Sequence, residues 1–208
     1  MTTPLAIQQI NIGKSFVELY VPDQEYIKQH YQQQKKQNPD TPFPYWAKVW
    51  PASLAMASFF DENERYIQGK QVLEIAAGLG LPSVVAAKHA KNVYCTDYLP
   101  EAVDAIGQSI QHNQLQNMQV GLLDWNDLPS NLIDIEVLLL SDINYNPESF
   151  QVLLGVITTF LEKGCTIILS TPQRLLAKPF IEQLLPLCKH QKEYILGDVA
   201  ITVMVLQF

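Results

Sequence analysis

The sequence predicts a doubly wound α/β fold, a mostly parallel sheet with helices on both faces, and three observations carry that expectation. Short apolar runs that read as buried strands alternate with longer helical patterns. One of them, Val72 to Ile75, runs straight through closely spaced glycines, Gly78 and Gly80, into a helix opened by Pro82. At the other end of the chain, Tyr194 to Leu196 and Val199 to Leu206 flank Gly197-Asp198, a two-residue hairpin turn, so the sheet closes with an antiparallel strand.

Taken in order, Ile7 to Ile12 and Phe16 to Val21 pair as a hairpin through Gly13-Lys14. The Gly13-Lys14-Ser15 triplet is not a phosphate loop, because Gln8 stands where the pattern needs glycine and no strand-to-helix context surrounds it. A polar helix follows over Pro22 to Lys36, its Gln32 to Lys36 run a solvated face. Residues 1–40 therefore read as an N-terminal hairpin-and-helix extension and 41–208 as the main domain. Pro39, Pro42 and Pro44 mark an extended loop leading through Tyr45-Trp46-Ala47-Lys48-Val49-Trp50-Pro51 into an apolar helix, Ala52 to Phe60.

After the strand at Val72 and its helix comes a second strand, Asn92 to Thr96, closed by Asp97. A helix from Glu101 to His112 precedes a third strand, Gln119 to Leu123, which ends in Asp124-Trp125. The fourth, Ile135 to Leu140, is almost wholly apolar and so central, and it ends in Ser141-Asp142-Ile143-Asn144-Tyr145. A helix over Phe150 to Leu161, a strand over Thr166 to Ser170, a rim loop Thr171 to Arg174 and a helix over Phe180 to Leu187 complete the pattern. Seven strands result. With the order 3-2-1-4-5, the first and fourth lie side by side and a ligand crevice opens at their carboxyl ends.

A chain of 208 residues that is 48% hydrophobic fills one sizeable core, and a net charge of -7 argues against a duplex-binding surface, leaving no nucleic-acid partner expected. Cys95, Cys165 and Cys188 are too scattered for a disulfide framework or a metal site. No apolar stretch reaches membrane-spanning length and no charged-then-apolar leader opens the chain, so a cytoplasmic location without membrane association is expected.

The candidate site follows from the strand ends. Gly78 and Gly80 let backbone approach a ligand that a side chain would exclude. Asp97, about 20 residues past the glycine motif, is placed for ribose hydroxyls. Asp124 is placed for an adenine amino group and Trp125 for its ring face, the alternative being a plain Asp124-to-Asp127 turn. Trp50 walls the pocket unless it is core, and Asp142 faces the same space as Glu74 and Gly78. The reading expects Glu74, Asp97 and Asp124 to converge on one adenosine-shaped hollow. Ser83 stands where the dinucleotide fingerprint needs glycine or alanine, so adenosine without pyrophosphate fits better than a nicotinamide or flavin nucleotide.

Together, Glu74-x-x-x-Gly78-x-Gly80, Asp97, Asp124-Trp125 and the closing hairpin resemble an S-adenosylmethionine (AdoMet)-dependent methyltransferase of the seven-strand class. Pro44-Tyr-Trp-Ala-Lys-Val-Trp-Pro51 and Ser141-Asp-Ile-Asn-Tyr145 narrow the likeness to the family 16 lysine methyltransferases, nearest the branch that modifies the electron transfer flavoprotein β-subunit. The likeness runs from about Pro42 onward. It implies a Rossmann-like sheet with AdoMet, and its product S-adenosylhomocysteine (AdoHcy), across the strand ends. Trp50, Glu74, Ala76, Gly78, Gly80, Asp97, Tyr98, Asp124, Trp125 and Ser141 would hold the cofactor, with Asp142 and Tyr145 at the incoming amine and a protein lysine as substrate. The family usually has glycine where Ala76 stands, which is tolerable unless that position needs a positive φ. A small-molecule amine methyltransferase and a non-catalytic AdoMet-binding or partner-binding domain are the alternatives.

Overall fold

The chain starts with a hairpin, β1 (Leu5–Ile12) and β2 (Ser15–Pro22), paired from Leu5 opposite Pro22 to Ile12 opposite Ser15. Gly13 supplies the positive φ its tight turn demands. Helix α1 (Gln24–Gln37) is capped by Asp23, whose carboxylate accepts the Tyr26 N–H, and buries no residue, as its Gln- and Lys-rich sequence requires. This is a computed structural model, and it describes residues 3–129, 132 and 134–208.

The main unit then runs α2 (Pro51–Glu62), β3 (Gln71–Glu74), α3 (Leu81–Ala86), β4 (Asn92–Asp97), α4 (Pro100–His112), β5 (Met118–Leu122), β6 (Val137–Ser141), α5 (Phe150–Glu162), β7 (Thr166–Pro172), α6 (Lys178–Leu184), β8 (Cys188–Leu196) and β9 (Val199–Leu206). Pro51, Pro82 and Pro100 each stand in the first turn of a helix, where the missing N–H has no intrahelical acceptor to lose. The strands form a seven-stranded sheet in the order β5-β4-β3-β6-β7-β9-β8. Neighbours from β5 to β7 are parallel, and β9 runs antiparallel to both β7 and β8. The doubly wound order and the reversed closing strand are those expected from the sequence.

Both faces of the sheet are covered, which is why β6 reads as an unbroken apolar run. Val137 and Leu139 pack into the layer built by α2, α3 and α4, while Leu138 and Leu140 pack into the layer built by α5 and α6. Among the described residues no helix is long and apolar enough to cross a membrane.

Two features differ from the expectation. Strand β8 begins at Cys188, six residues ahead of the predicted Tyr194, because its outward positions are polar and hide the alternation that continues to its start. The hairpin is also built into the core. Ile10, Ile12, Val17, Leu19 and Val21 share a buried cluster with the α2–α4 layer. The Tyr20 N–H donates to Ser109 Oγ at 2.9 Å and Asn113 Nδ2 to the Glu18 carbonyl at 2.6 Å, so β2 is clamped along α4.

Candidate active site at the carboxyl edge of the sheet

The chain leaves β3 through Ile75 and turns sharply. Ala76, Gly78 and Gly80 all take positive φ, at 52°, 60° and 69°. The turn is tied to the neighbouring strand by its backbone, Ala77 N–H donating to the Thr96 carbonyl at 3.0 Å, and it feeds α3 through Val84 N–H to the Gly80 carbonyl at 3.0 Å. Gly80 is required on two counts, since a Cβ there would sit 2.9 Å from Cys95 Sγ in addition to the positive φ.

Asp97, at the end of β4, locks this turn. Its Oδ2 accepts the Gly78 N–H at 2.8 Å and its Oδ1 accepts the Leu99 N–H at 3.0 Å. The residue is only 4% exposed, and burial raises its carboxyl above the usual range despite these bonds. A carboxylate offers about four acceptor sites, so a buried Asp97 holding two amides keeps capacity for a ligand's hydroxyls.

The end of β6 faces it. Asp142 adopts a φ of 55°, donates its N–H to the Ser170 carbonyl at 2.9 Å, and accepts Arg174 Nη1 on Oδ1 at 2.5 Å. Burial still raises the Asp142 carboxyl, with the Arg174 bond pulling against it. Three residues on, Tyr145 meets Tyr45 with ring centroids 4.8 Å apart. Tyr45 also contacts Phe43 and Trp50, at 4.9 Å and 6.0 Å, and its carbonyl accepts the Trp50 indole N–H at 2.7 Å.

One cavity gathers these parts. Of the residues expected from the sequence, Trp50, Ala76, Gly78, Gly80, Asp97, Tyr98, Ser141, Asp142 and Tyr145 all line it. Among the lining residues that sequence reasoning did not single out, Phe43, Tyr45, Lys48 and Arg174 matter most. The proline-rich loop and the rim loop after β7 were the available signals.

Glu74, Asp124 and Trp125 do not line that cavity, so the structure does not bring Glu74 and Asp124 together with Asp97 there. Glu74 is fully buried beneath α3, its Oε2 accepting Ser83 N–H at 3.1 Å and Ser83 Oγ–H at 2.5 Å. Val72 and Glu74 lie two residues apart on one strand and so share a face, the one covered by α3. Its Oε1 has no partner among the described residues, and burial raises its carboxyl to about 8. Asp124 is exposed and closes a turn, Oδ1 accepting Asn126 N–H at 2.9 Å and Nδ2–H at 2.7 Å. It lies near enough to Tyr98 to help hold that phenol protonated. Trp125 packs against the α5 and α6 layer. Among the described residues no group of three metal-ligating side chains occurs.

A family profile for lysine methyltransferases matches residues 40–186, which takes in every element from the proline-rich loop to α6. The chain belongs to methyltransferase family 16. It is 34% identical over 121 residues to histone-arginine methyltransferase METTL23 of Homo sapiens, covering 56% of this chain and 64% of that protein. It is 30% identical over 148 residues to EEF1A lysine methyltransferase 3 of Mus musculus, covering 67% and 62%. The chain spans about half to two-thirds of the length of the METTL23 proteins it matches. These matches do not specifically show the branch that modifies the electron transfer flavoprotein β-subunit.

Solved structures share the fold. The METTL16 methyltransferase domain superposes with a TM-score of 0.62 at 11% identity, covering 89% of this chain and 97% of that one. TrmK of M. capricolum, solved with AdoHcy, gives 0.58 at 10% identity over 76% and 68%. Likeness at that identity is one of fold alone.

Ala76 stands where the resemblance noted in the sequence implies glycine. The structure shows the position at positive φ, a conformation that costs an L-residue about 1–2 kcal/mol against glycine's extra chain entropy of about 0.5–1 kcal/mol. Ala76→Gly is expected to stabilise the fold by about 0.5–1 kcal/mol in urea titration; a destabilised variant would show that alanine's methyl contributes more packing than its backbone costs.

Glu74 generates a second expectation. Its folded carboxyl titrates near 8, well above the ordinary value of about 4.5, so folding takes up a proton between those limits. The stability it contributes is therefore full below about pH 4.5 and is lost as pH rises through about 8. Glu74→Gln, which cannot ionise, should hold its urea midpoint more nearly constant between pH 5 and pH 8 than the natural protein does. Parallel pH profiles for the two would contradict a buried, neutral Glu74.

Proposed function

We propose that the chain is an AdoMet-dependent methyltransferase acting on lysine side chains of a protein. The observation that carries this reading is the Asp97–Gly78 lock inside the cavity: a buried carboxylate with spare acceptor sites beside a glycine turn whose backbone is open to a ligand. Those are the acceptor, the open backbone and the space that an adenosine ribose and an amino-acid tail need, and the lysine methyltransferase profile covers them. Leu79 and Leu99 add apolar wall.

Bound AdoMet supplies an electrophilic methyl group on a sulfonium. The chain's own part is alignment, desolvation and management of one proton, since in-line displacement needs no covalent nucleophile. Asp142, braced through Oδ1 by Arg174, leaves Oδ2 to orient the incoming amine. Tyr145, whose phenol burial holds protonated, can hydrogen-bond the nitrogen from the rim. A nearby sulfonium favours the neutral amine by like-charge repulsion. The cytoplasmic location and protein partner belong to this reading.

Arginine is a second target with an observation behind it. Asp142 already accepts a guanidinium, that of Arg174, and METTL23 relatives carry the name histone-arginine methyltransferase.

Calorimetric titration of the natural protein with AdoMet should saturate, and Asp97→Ala, shown folded by circular dichroism, should bind at least about ten-fold more weakly, a loss of about 1.4 kcal/mol. Incubation with methyl-deuterated AdoMet and cell lysate should label lysine in mass spectra. Unchanged affinity in the variant removes the assignment, and label on arginine alone moves it to the second target.

A further inference from the structure

From the Arg174–Asp142 ion pair we infer that Arg174 turns this site to lysine rather than arginine: by holding one oxygen of Asp142 it leaves a seat for a single ammonium donor and denies a substrate guanidinium the two-oxygen fork. The inference rests on the methyltransferase reading and decides between its two targets. Arg174 acts through Asp142 and so is a positioning residue.

The pair is positioned by backbone. Asp142 and Arg174 stand just past the ends of β6 and β7, parallel neighbours in register from Val137 opposite Thr166 to Ser141 opposite Ser170. The Asp142 N–H on the Ser170 carbonyl ties the acid to the adjacent strand. The rim loop is tied in its turn: Gln173 N–H donates to the Ala200 carbonyl at 3.3 Å, Arg174 N–H to the Pro172 carbonyl at 2.9 Å, and Ala177 N–H to the Arg174 carbonyl at 3.1 Å. Arg174 Nη1 therefore reaches Oδ1 from a braced loop, and both residues line the cavity. The Asp142 side chain is only 11% exposed, so its remaining oxygen has a narrow opening.

That opening suits one kind of cation. A guanidinium pairs best with a carboxylate through two parallel N–H···O bonds, one to each oxygen, whereas an ammonium is a compact charge that one oxygen can hold. With Oδ1 taken, a substrate arginine would have to share that oxygen with Arg174 or settle for a single bond. The cavity offers it no other partner of the right kind. Its charged lining residues are Lys48, Asp97, Asp142 and Arg174, and Asp97 is committed to two backbone amides of the glycine turn and its neighbour strand.

Charge selects in the same direction. A guanidinium at Asp142 would lie beside the like charge of Arg174 and could not shed its own, since arginine stays protonated in proteins. Lysine sheds its proton. The ammonium gives it to solvent, the freed lone pair forms the N–CH3 bond, and the S–CH3 electron pair returns to sulfur, giving AdoHcy. The Arg174 charge favours the neutral amine ahead of that step.

The test is titration of the full chain, saturated with AdoHcy, with n-butylammonium and with n-butylguanidinium, followed at the Trp50 indole N–H by NMR. The natural protein is expected to hold the ammonium at least about three-fold more tightly than the guanidinium. Arg174→Met, or Arg174→Ala should the first not fold by circular dichroism, should move that ratio at least about ten-fold toward the guanidinium. Arg174→Lys keeps a cationic donor for Oδ1 and should keep the natural preference. A merely structural role for Arg174 would weaken both probes alike and leave their ratio unmoved. An unmoved ratio, a natural preference for the guanidinium, or no binding of either probe, with AdoHcy bound, overturns the selecting role of Arg174 alone. Failure of AdoHcy itself to bind overturns the methyltransferase reading and this inference with it.

Discussion

A carboxylate at the end of one strand accepts the amide of a glycine turn at the end of its neighbour, and the site depends on that bond. Asp97 and the Gly78 turn stand at the ends of adjacent parallel strands, β4 and β3, whose ends are also joined by Ala77 N–H on the Thr96 carbonyl and by Thr96 Oγ–H on the Glu74 carbonyl. Burial strips Asp97 of hydration and raises its carboxyl, while the Gly78 and Leu99 amides pull against that rise. In return the turn keeps a fixed distance from the strand that carries Tyr98 and Leu99, so one wall of the cavity is rigid. Glu74 does the corresponding work from below, holding the first turn of α3 through Ser83 without entering the cavity.

The same edge stores backbone strain at two non-glycine positions, Ala76 after β3 and Asp142 after β6, on neighbouring strands. Aspartate tolerates the left-handed region better than alanine does, and Asp142 is held there by its own N–H on Ser170 and by Arg174 on its side chain. Such conformations persist only where the surroundings over-determine them, and they concentrate where chemistry needs a group aimed precisely at one place. Between them, these turns aim Asp142 and the glycine turn at a common space roofed by Tyr45, Trp50 and Tyr145.

Much of this was legible in the residues. Strand order, the reversed β9, the glycine turn, Asp97 and the Ser141 to Tyr145 segment follow from backbone rules: a buried run has a period, a turn needs particular φ values, and a strand's carboxyl end lies at the crevice. Glu74 was misplaced because its position before the turn was weighed and its parity with Val72 was not; period-two alternation sends both toward α3. Asp124 illustrates a true ambiguity, since a ligand-binding acid and an aspartate that closes its own turn look alike in sequence, and in the fold Asp124 accepts from Asn126 on Oδ1 alone. The contacts between the rim rings and between Arg174 and Asp142 were beyond reach for another reason. They join loops far apart in sequence, Phe43 and Tyr45 to Tyr145, and Asp142 to Arg174, and no periodicity reports such contacts.

Amide hydrogen exchange of the full chain with and without AdoHcy tests the central claim most directly. If the cofactor sits against the locked glycine turn, added protection should concentrate in residues 76–80 and 97–99. Protection confined to residues 124–127, or none at the turn while AdoHcy is bound, would contradict the account.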